Sequence, residues 1–286
     1  MVSRRLGQRI LRTGKRLLPH VGELGLMLGA YSAYLYTKLA FSDFRETIAL
    51  GNARRIISLE RSLGFFWEPE WQAWAIASAK TLVVFLNWAY IVTFWPIILT
   101  TALVLYVVNR RRYVYYRSVV MFSFAFALLG FLIFPLAPPR MLADHFVDTI
   151  KVFGPAFYAS REFANLYNPY AAMPSLHFSW TIMFGVLFLR TPNVWVKILG
   201  VIYPVLTLVA ITVTANHYIM DAIGGGLLIA ASFAVMELVN RRRRFLPKAL
   251  QDLRLPWQRR LQSRRISEEQ ERAEEGHVWA GGENSE

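Results

Sequence analysis

"MPSLHFSWTIMFGVLFL" (173–189) joins a short polar opening, Pro174-Ser175-Leu176-His177, to an apolar run that reads as a membrane span. Forty residues after His177 comes "ANHYIMD" (215–221), and it too opens an apolar run, 217–239. Ionisable residues are costly at membrane depth and are kept there for a function or a partner. Two histidines and an aspartate at the mouths of two spans are therefore the feature around which the chain is read.

The remaining composition agrees with a membrane protein. Of 286 residues, 55% are hydrophobic and only 18% charged, and the apolar residues lie in long runs. There is no cysteine, which excludes disulfides and thiolate metal sites. A net charge of +13 in a soluble protein would point to nucleic acid. Here the basic residues sit between and outside the apolar runs, so membrane topology accounts for them and no nucleic-acid partner is expected.

Residues 1–20 carry Arg4, Arg5, Arg9, Arg12, Lys15 and Arg16 and no acid. The apolar stretch that follows, 21–41, is long enough to span and lacks a small-residue cleavage site, so it reads as an uncleaved first span. Further spans are expected at 74–109, 118–136, 175–190, 195–214 and 217–239. The 74–109 run, interrupted by Lys80, Asn87 and Pro96, is too long for one straight crossing. It reads as one long helix kinked at Pro96 or as two helices, and the charge pattern favours a single crossing with a tilted or overhanging first part. "NRRRYVYYR" (109–117), the 190–197 turn and "RRRR" (241–244) are read as cytoplasmic. The expectation is an all-α, polytopic six-transmembrane-helix bundle in the plasma membrane, with both termini cytoplasmic. Its parts are a basic N-terminus (1–20), a catalytic membrane domain (21–240) and a charged tail (241–286) with a disordered acidic end. Residues 42–73 alternate apolar and charged positions, with Ile48, Ile56, Ile57, Leu59, Leu63 and Phe66 toward one side. They read either as amphipathic helix at the membrane surface or as a helix covering the domain.

This topology puts three polar motifs on the face opposite the cytoplasm. "FPLAPPRML" (134–142) ends the third span, "MPSLH" opens the fourth and "NHYIMD" opens the sixth. His217 and Asp221, at i and i+4, share a helical face, where the carboxylate can orient the imidazole and leave its other nitrogen free. That is the base-and-orienter half of a nucleophilic constellation; a polar pair fastening the helix start is the plainer reading. Pro174 suits a first helical turn, and Ser175 and its neighbours would then offer free amides to an anion, with His177 alongside. A proline-started helix with an interfacial histidine is the plainer reading there. Arg140, stiffened by Pro138 and Pro139, suits a phosphate or a snorkelling anchor. Taken together, two histidines, a carboxylate, an arginine and a helix N-terminus are the parts that phosphoryl transfer requires.

At these residues the chain resembles the type-2 phosphatidic acid phosphatase superfamily, and within it the inositolphosphotransferase and inositol phosphorylceramide synthase-like branch with its bacterial members. Pro174-Ser175-Leu176-His177 matches the second family motif, His217-Tyr218-Ile219-Met220-Asp221 the third, and "APPR" (137–140) the segment before the second. The resemblance covers roughly 75–240. It implies a phosphohistidine mechanism without metal or cofactor. His217 would attack phosphorus, Asp221 would orient it, and His177 would protonate the leaving alkoxide and then activate the acceptor. Arg140 and Ser175 would hold phosphate oxygens. The substrate implied is a lipid phosphate or phospholipid drawn from the bilayer, with water, a polyol or a head-group hydroxyl as acceptor. Ile133 and Ile211 stand where the wider family has a lysine and an arginine, and Leu176 where it has glycine. These departures match the transferase-like branch.

Two rivals follow from the same residues. His177, His217 and Asp221 form the two-histidine, one-carboxylate set of a metal-dependent membrane hydrolase. Alternatively, the His/Asp pair serves as a proton relay in a transporter, which should show inverted repeats or broken helices at the midplane. The sequence shows neither of those features.

Overall fold

The computed structural model describes residues 2–39, 45–155, 157 and 166–245. Among these the regular structure is helical: α1 (Val2–Leu39), α2 (Arg45–Leu63), α3 (Glu68–Ser78), α4 (Lys80–Val108), α5 (Arg110–Ile133), α6 (Thr149–Phe153), α7 (Leu176–Leu189), α8 (Val194–Val213) and α9 (Ile219–Phe245). The chain divides into two compact units, one of Met27–Glu237 and one of Met1–Leu26 with Leu238–Glu286. The first contains all the candidate site residues. In the second, the structure describes the outer part of α1 and the end of α9; the tail expected beyond 245 lies outside the described residues.

Helices α4, α5, α8 and α9 are long and apolar enough to cross a membrane. Helix α7 is equally apolar but has only 14 residues. At about 1.5 Å per residue that is shorter than the hydrocarbon core of a bilayer.

Local chemistry explains most of the helix boundaries. The long run expected at 74–109 breaks at Ala79, whose backbone leaves the helical region, and continues as one helix to Val108. Within α4 a π-turn, Ala89–Thr93, lies just before Pro96. Proline lacks the amide for the preceding turn and its ring crowds the carbonyl four residues back, and widening the ladder by one residue relieves both problems. The arginines of "NRRRYVYYR", expected before the span at 118–136, belong to the same helix as that span. Asn109 caps α5 by accepting from the Arg112 amide at 3.0 Å, so the basic segment becomes the first turns of the helix. Arg110 lies over the Tyr106 ring at 3.6 Å.

Helices α7 and α8 touch backbone to backbone. A Cβ on Gly185 would fall 2.7 Å from the Gly200 carbonyl, so only glycine permits this approach. Around the contact, Trp180, Phe184, Phe188 and Tyr203 fill the core of the bundle.

The 42–73 segment corrects its expectation in a useful way. Helix α2 does pack on the domain, but the inward stripe is Ala49, Asn52, Ala53, Ile56, Ile57 and Glu60. Ile48, Leu59 and Leu63, expected on one apolar side, are 47%, 43% and 57% exposed. Polar residues face inward because they have partners there. Asn52 donates to the Pro135 carbonyl at 2.9 Å, Arg45 to the Phe131 carbonyl at 2.9 Å, and Gln72 of α3 exchanges two hydrogen bonds with the Val147 backbone. Helices α2 and α3 thus cover the loops that carry "APPR" and "NHYIMD".

Candidate active site

The site is assembled where α8 ends and α9 begins. Helix α8 stops at Val213, and Ala215 then takes a left-handed conformation, φ +55°. A non-glycine residue pays strain there, and such positions persist where the surroundings over-determine them. The turn directs the Asn216 and His217 amides back to the Ile211 carbonyl at 2.9 and 3.0 Å, and leaves the Ala215 carbonyl free to accept the Arg140 amide at 2.8 Å. One bend therefore brings "APPR" beside "NHYIMD".

His217 lies before α9, not in it, and Asp221 lies in its first turn. Their contact crosses the helix start rather than running along a helical face as the i, i+4 spacing implied. Nδ1 of His217 is 3.2 Å from Oδ2 of Asp221, and the same oxygen accepts the Tyr218 amide at 3.0 Å. Both side chains are buried, Asp221 completely. An imidazole held at Nδ1 by a carboxylate presents Nε2 as its reactive atom.

His177 is the second residue of α7, and Pro174, expected in the first turn of that helix, lies before it. Ser175 is the cap, and the Met173–Pro174 peptide is cis. The Ser175 Oγ accepts the Phe178 amide at 3.3 Å, and the Ser175 amide donates to the Asp221 carbonyl at 3.1 Å. With its backbone amide engaged and the residue fully buried, Ser175 ties α7 to α9, and only its hydroxyl proton remains to donate elsewhere. Close packing secures this joint, since a Cβ on Gly225 would come within 2.6 Å of the Ser175 carbonyl. The His177 ring is stacked by Tyr90 at 4.4 Å and flanked by Phe94 at 4.1 Å, both carried by the π-turn region of α4. It faces the His217 ring at a centroid distance of 6.2 Å.

Arg140 joins this group. Its Nε donates to Asn216 Oδ1 at 3.1 Å, next to His217, and its guanidinium lies 3.5 Å from Asp148. Asn216 is itself held by Thr214 Oγ1 at 2.6 Å. The five residues singled out in the sequence, His177, His217, Asp221, Arg140 and Ser175, are thus linked by direct contacts or single intermediates. Among the described residues, no three His, Cys, Asp or Glu side chains are grouped as a metal ion would require.

Several neighbours were missed by the sequence reading. Asn216 was adjacent to a motif and unremarked. Tyr90 and Phe94 lie more than 80 residues before His177, in the apolar stretch between Asn87 and Pro96, where nothing local marks them as neighbours of a histidine. Asp148 sits in a loop and caps α6 by accepting the Lys151 amide at 3.1 Å. A small cleft opens beside His177, lined by Tyr90, Thr93, Phe94, Tyr203, Leu206 and Ala210 among others.

Comparison with known proteins gives one result. The family model described as the PAP2 superfamily matches residues 54–235, more than half of the chain and all of the site. No curated protein and no solved structure matches.

Proposed function

Because the chain belongs to the PAP2 superfamily, a family of membrane phosphatases and phosphotransferases, we propose that it transfers the phosphoryl group of a lipid phosphate or phosphodiester through a phosphohistidine on His217. The observation that carries this reading is the meeting of an Asp221-held His217 with His177 across 6.2 Å, beside Arg140.

In the first step Nε2 of His217 attacks phosphorus while Asp221 accepts from Nδ1–H and stabilises the charge that develops on the ring. The bond from phosphorus to the lipid oxygen breaks, and His177 gives that oxygen its proton. In the second step His177 takes a proton from the acceptor hydroxyl, whose oxygen forms the new bond to phosphorus as the phosphorus–nitrogen bond breaks. Arg140 and the first amides of α7, which have no acceptor within the helix, neutralise the equatorial oxygens, with the Ser175 hydroxyl as a further donor. No metal or cofactor enters either step.

The transferase-like branch is the finer assignment, with an inositol-like polyol or a lipid head group as acceptor. It is supported by "APPR", by Leu176 and by isoleucine at 133 and 211. The six-span arrangement in the plasma membrane, with both termini cytoplasmic and the site on the extracytoplasmic face, is supported by the basic segments at 1–20, 109–117 and 241–244.

The test is incubation of the detergent-purified protein with a radiolabelled lipid phosphate, with and without inositol and with and without a chelator. Phosphate release or transfer to the polyol, insensitive to chelator, is expected. Activity abolished by chelation and restored by a divalent metal would contradict the proposal.

A further inference from the structure

Helix α9 begins with three successive amides, each accepted by a different carboxylate. The Tyr218 amide donates to Asp221 Oδ2 at 3.0 Å, the Ile219 amide to Glu68 Oε1 at 2.8 Å, and the Met220 amide to Glu60 Oε1 at 2.7 Å. Amides at a helix start have no acceptor within the helix, and the positive end of its dipole favours anionic ones. Asp221 is a local acceptor. Glu68 and Glu60 come from α3 and α2, 151 and 160 residues earlier in the chain.

Both glutamates are fully buried. Their side chains lie within hydrogen-bond reach of each other, and the second oxygen of each, Oε2, has no other partner. Two buried carboxyl groups this close do not both ionise, and one proton bridges them. Burial, and then the charge of Glu68, pushes Glu60 up to about 9. Burial raises Glu68 as well. Burial and their mutual repulsion thus favour a pair that carries one negative charge rather than two.

We propose that Glu60 and Glu68 are positioning residues that clamp the first turn of α9 and thereby hold Asp221 against His217. Neither touches the imidazole. They act through the amides of Ile219 and Met220, which lie between Tyr218 and Asp221, the two residues that meet at Asp221 Oδ2. Helices α2 and α3 thus contribute to the active site although they carry none of its motifs. The proposal rests on the reading of His217 as the nucleophile.

Glu60→Gln and Glu60→Ala separate this role from a general loss of structure. Glutamine keeps a carbonyl for the Met220 amide, and its N–H replaces the shared proton toward Glu68. In the full-length protein, with labelled phosphatidic acid in detergent as probe, Glu60→Gln should keep kcat within about threefold of wild type. Glu60→Ala should lower kcat by about 10- to 100-fold with KM within about twofold, as expected when reacting groups lose alignment but substrate binding is untouched. Amide hydrogen exchange at Ile219 and Met220 should accelerate in Glu60→Ala and stay unchanged in Glu60→Gln. If the alanine variant does not fold, Glu60→Asp, too short to reach Met220, replaces it with the same expected outcomes. Wild-type kcat and exchange in Glu60→Ala, or equal impairment in Glu60→Gln and Glu60→Ala, overturns the clamp. The exchange readout needs no activity, so it stands even if His217→Ala retains turnover, a result that would overturn the reading of His217 alone.

Discussion

Helices α7 and α9 start side by side, joined by the hydrogen bond from the Ser175 amide to the Asp221 carbonyl, yet they are fastened by different means. The start of α7 is closed by its own sequence, with Ser175 accepting the Phe178 amide three residues on. The start of α9 is closed by Glu60 and Glu68 from a distant helix pair. The histidines differ in the same sense. His177 is held by the faces of Tyr90 and Phe94, which fix its plane and leave its nitrogens uncommitted to them. His217 is held through Nδ1 by a buried carboxylate. A ring fixed by stacking suits a group that gives and takes a proton. A ring fixed by an ionic hydrogen bond suits a group that becomes positively charged when it bonds to phosphorus.

The largest expected effect breaks the α9 side of this comparison. Asp221→Asn preserves shape but removes the charge that orients His217, and kcat should fall by about 10³- to 10⁴-fold in a steady-state assay. On the α7 side, His177→Ala removes proton transfer and should cost about 10²- to 10⁴-fold. A substrate whose leaving alcohol is strongly acidic needs no proton from the enzyme and should recover much of the loss in the first, burst-phase step, but not in the second, where His177 is still needed as base. It should recover none of the loss in Asp221→Asn. The joint itself is addressed by Gly225→Ala. Its methyl would meet the Ser175 carbonyl at 2.6 Å, and thermal unfolding should report a loss of about 1–3 kcal/mol. The smallest effect is expected from Ser175→Ala. Removing a helix cap costs about 1 kcal/mol of stability, and the lost hydroxyl donor should lower kcat less than either histidine does.

The same contrast explains how much could be read from the chain. "MPSLH" is legible because a proline, a capping serine and an apolar run dictate a helix start within five residues. "NHYIMD" is legible because histidine and aspartate four apart can meet on any helical path, even though His217 sits outside the helix. Arg140 could be grouped with the two histidine motifs but not paired with Asn216, because that contact depends on the Ala215 bend, which no local signal announces. Glu60 and Glu68 were hidden most completely. In sequence they are two charges in an amphipathic segment, and solvent is the default destination for such residues. Only the packing of α2 and α3 over the start of α9 turns them inward.

The central claim is that His217 carries the phosphoryl group. It is tested most directly by acid-free trapping of the protein during turnover of a lipid labelled at phosphorus, followed by peptide mapping. The account predicts an acid-labile, base-stable label on the peptide containing His217, absent in His217→Ala and accumulating in His177→Ala with a substrate bearing an acidic leaving alcohol. Full turnover by His217→Ala, or a label mapped to another residue, would contradict it.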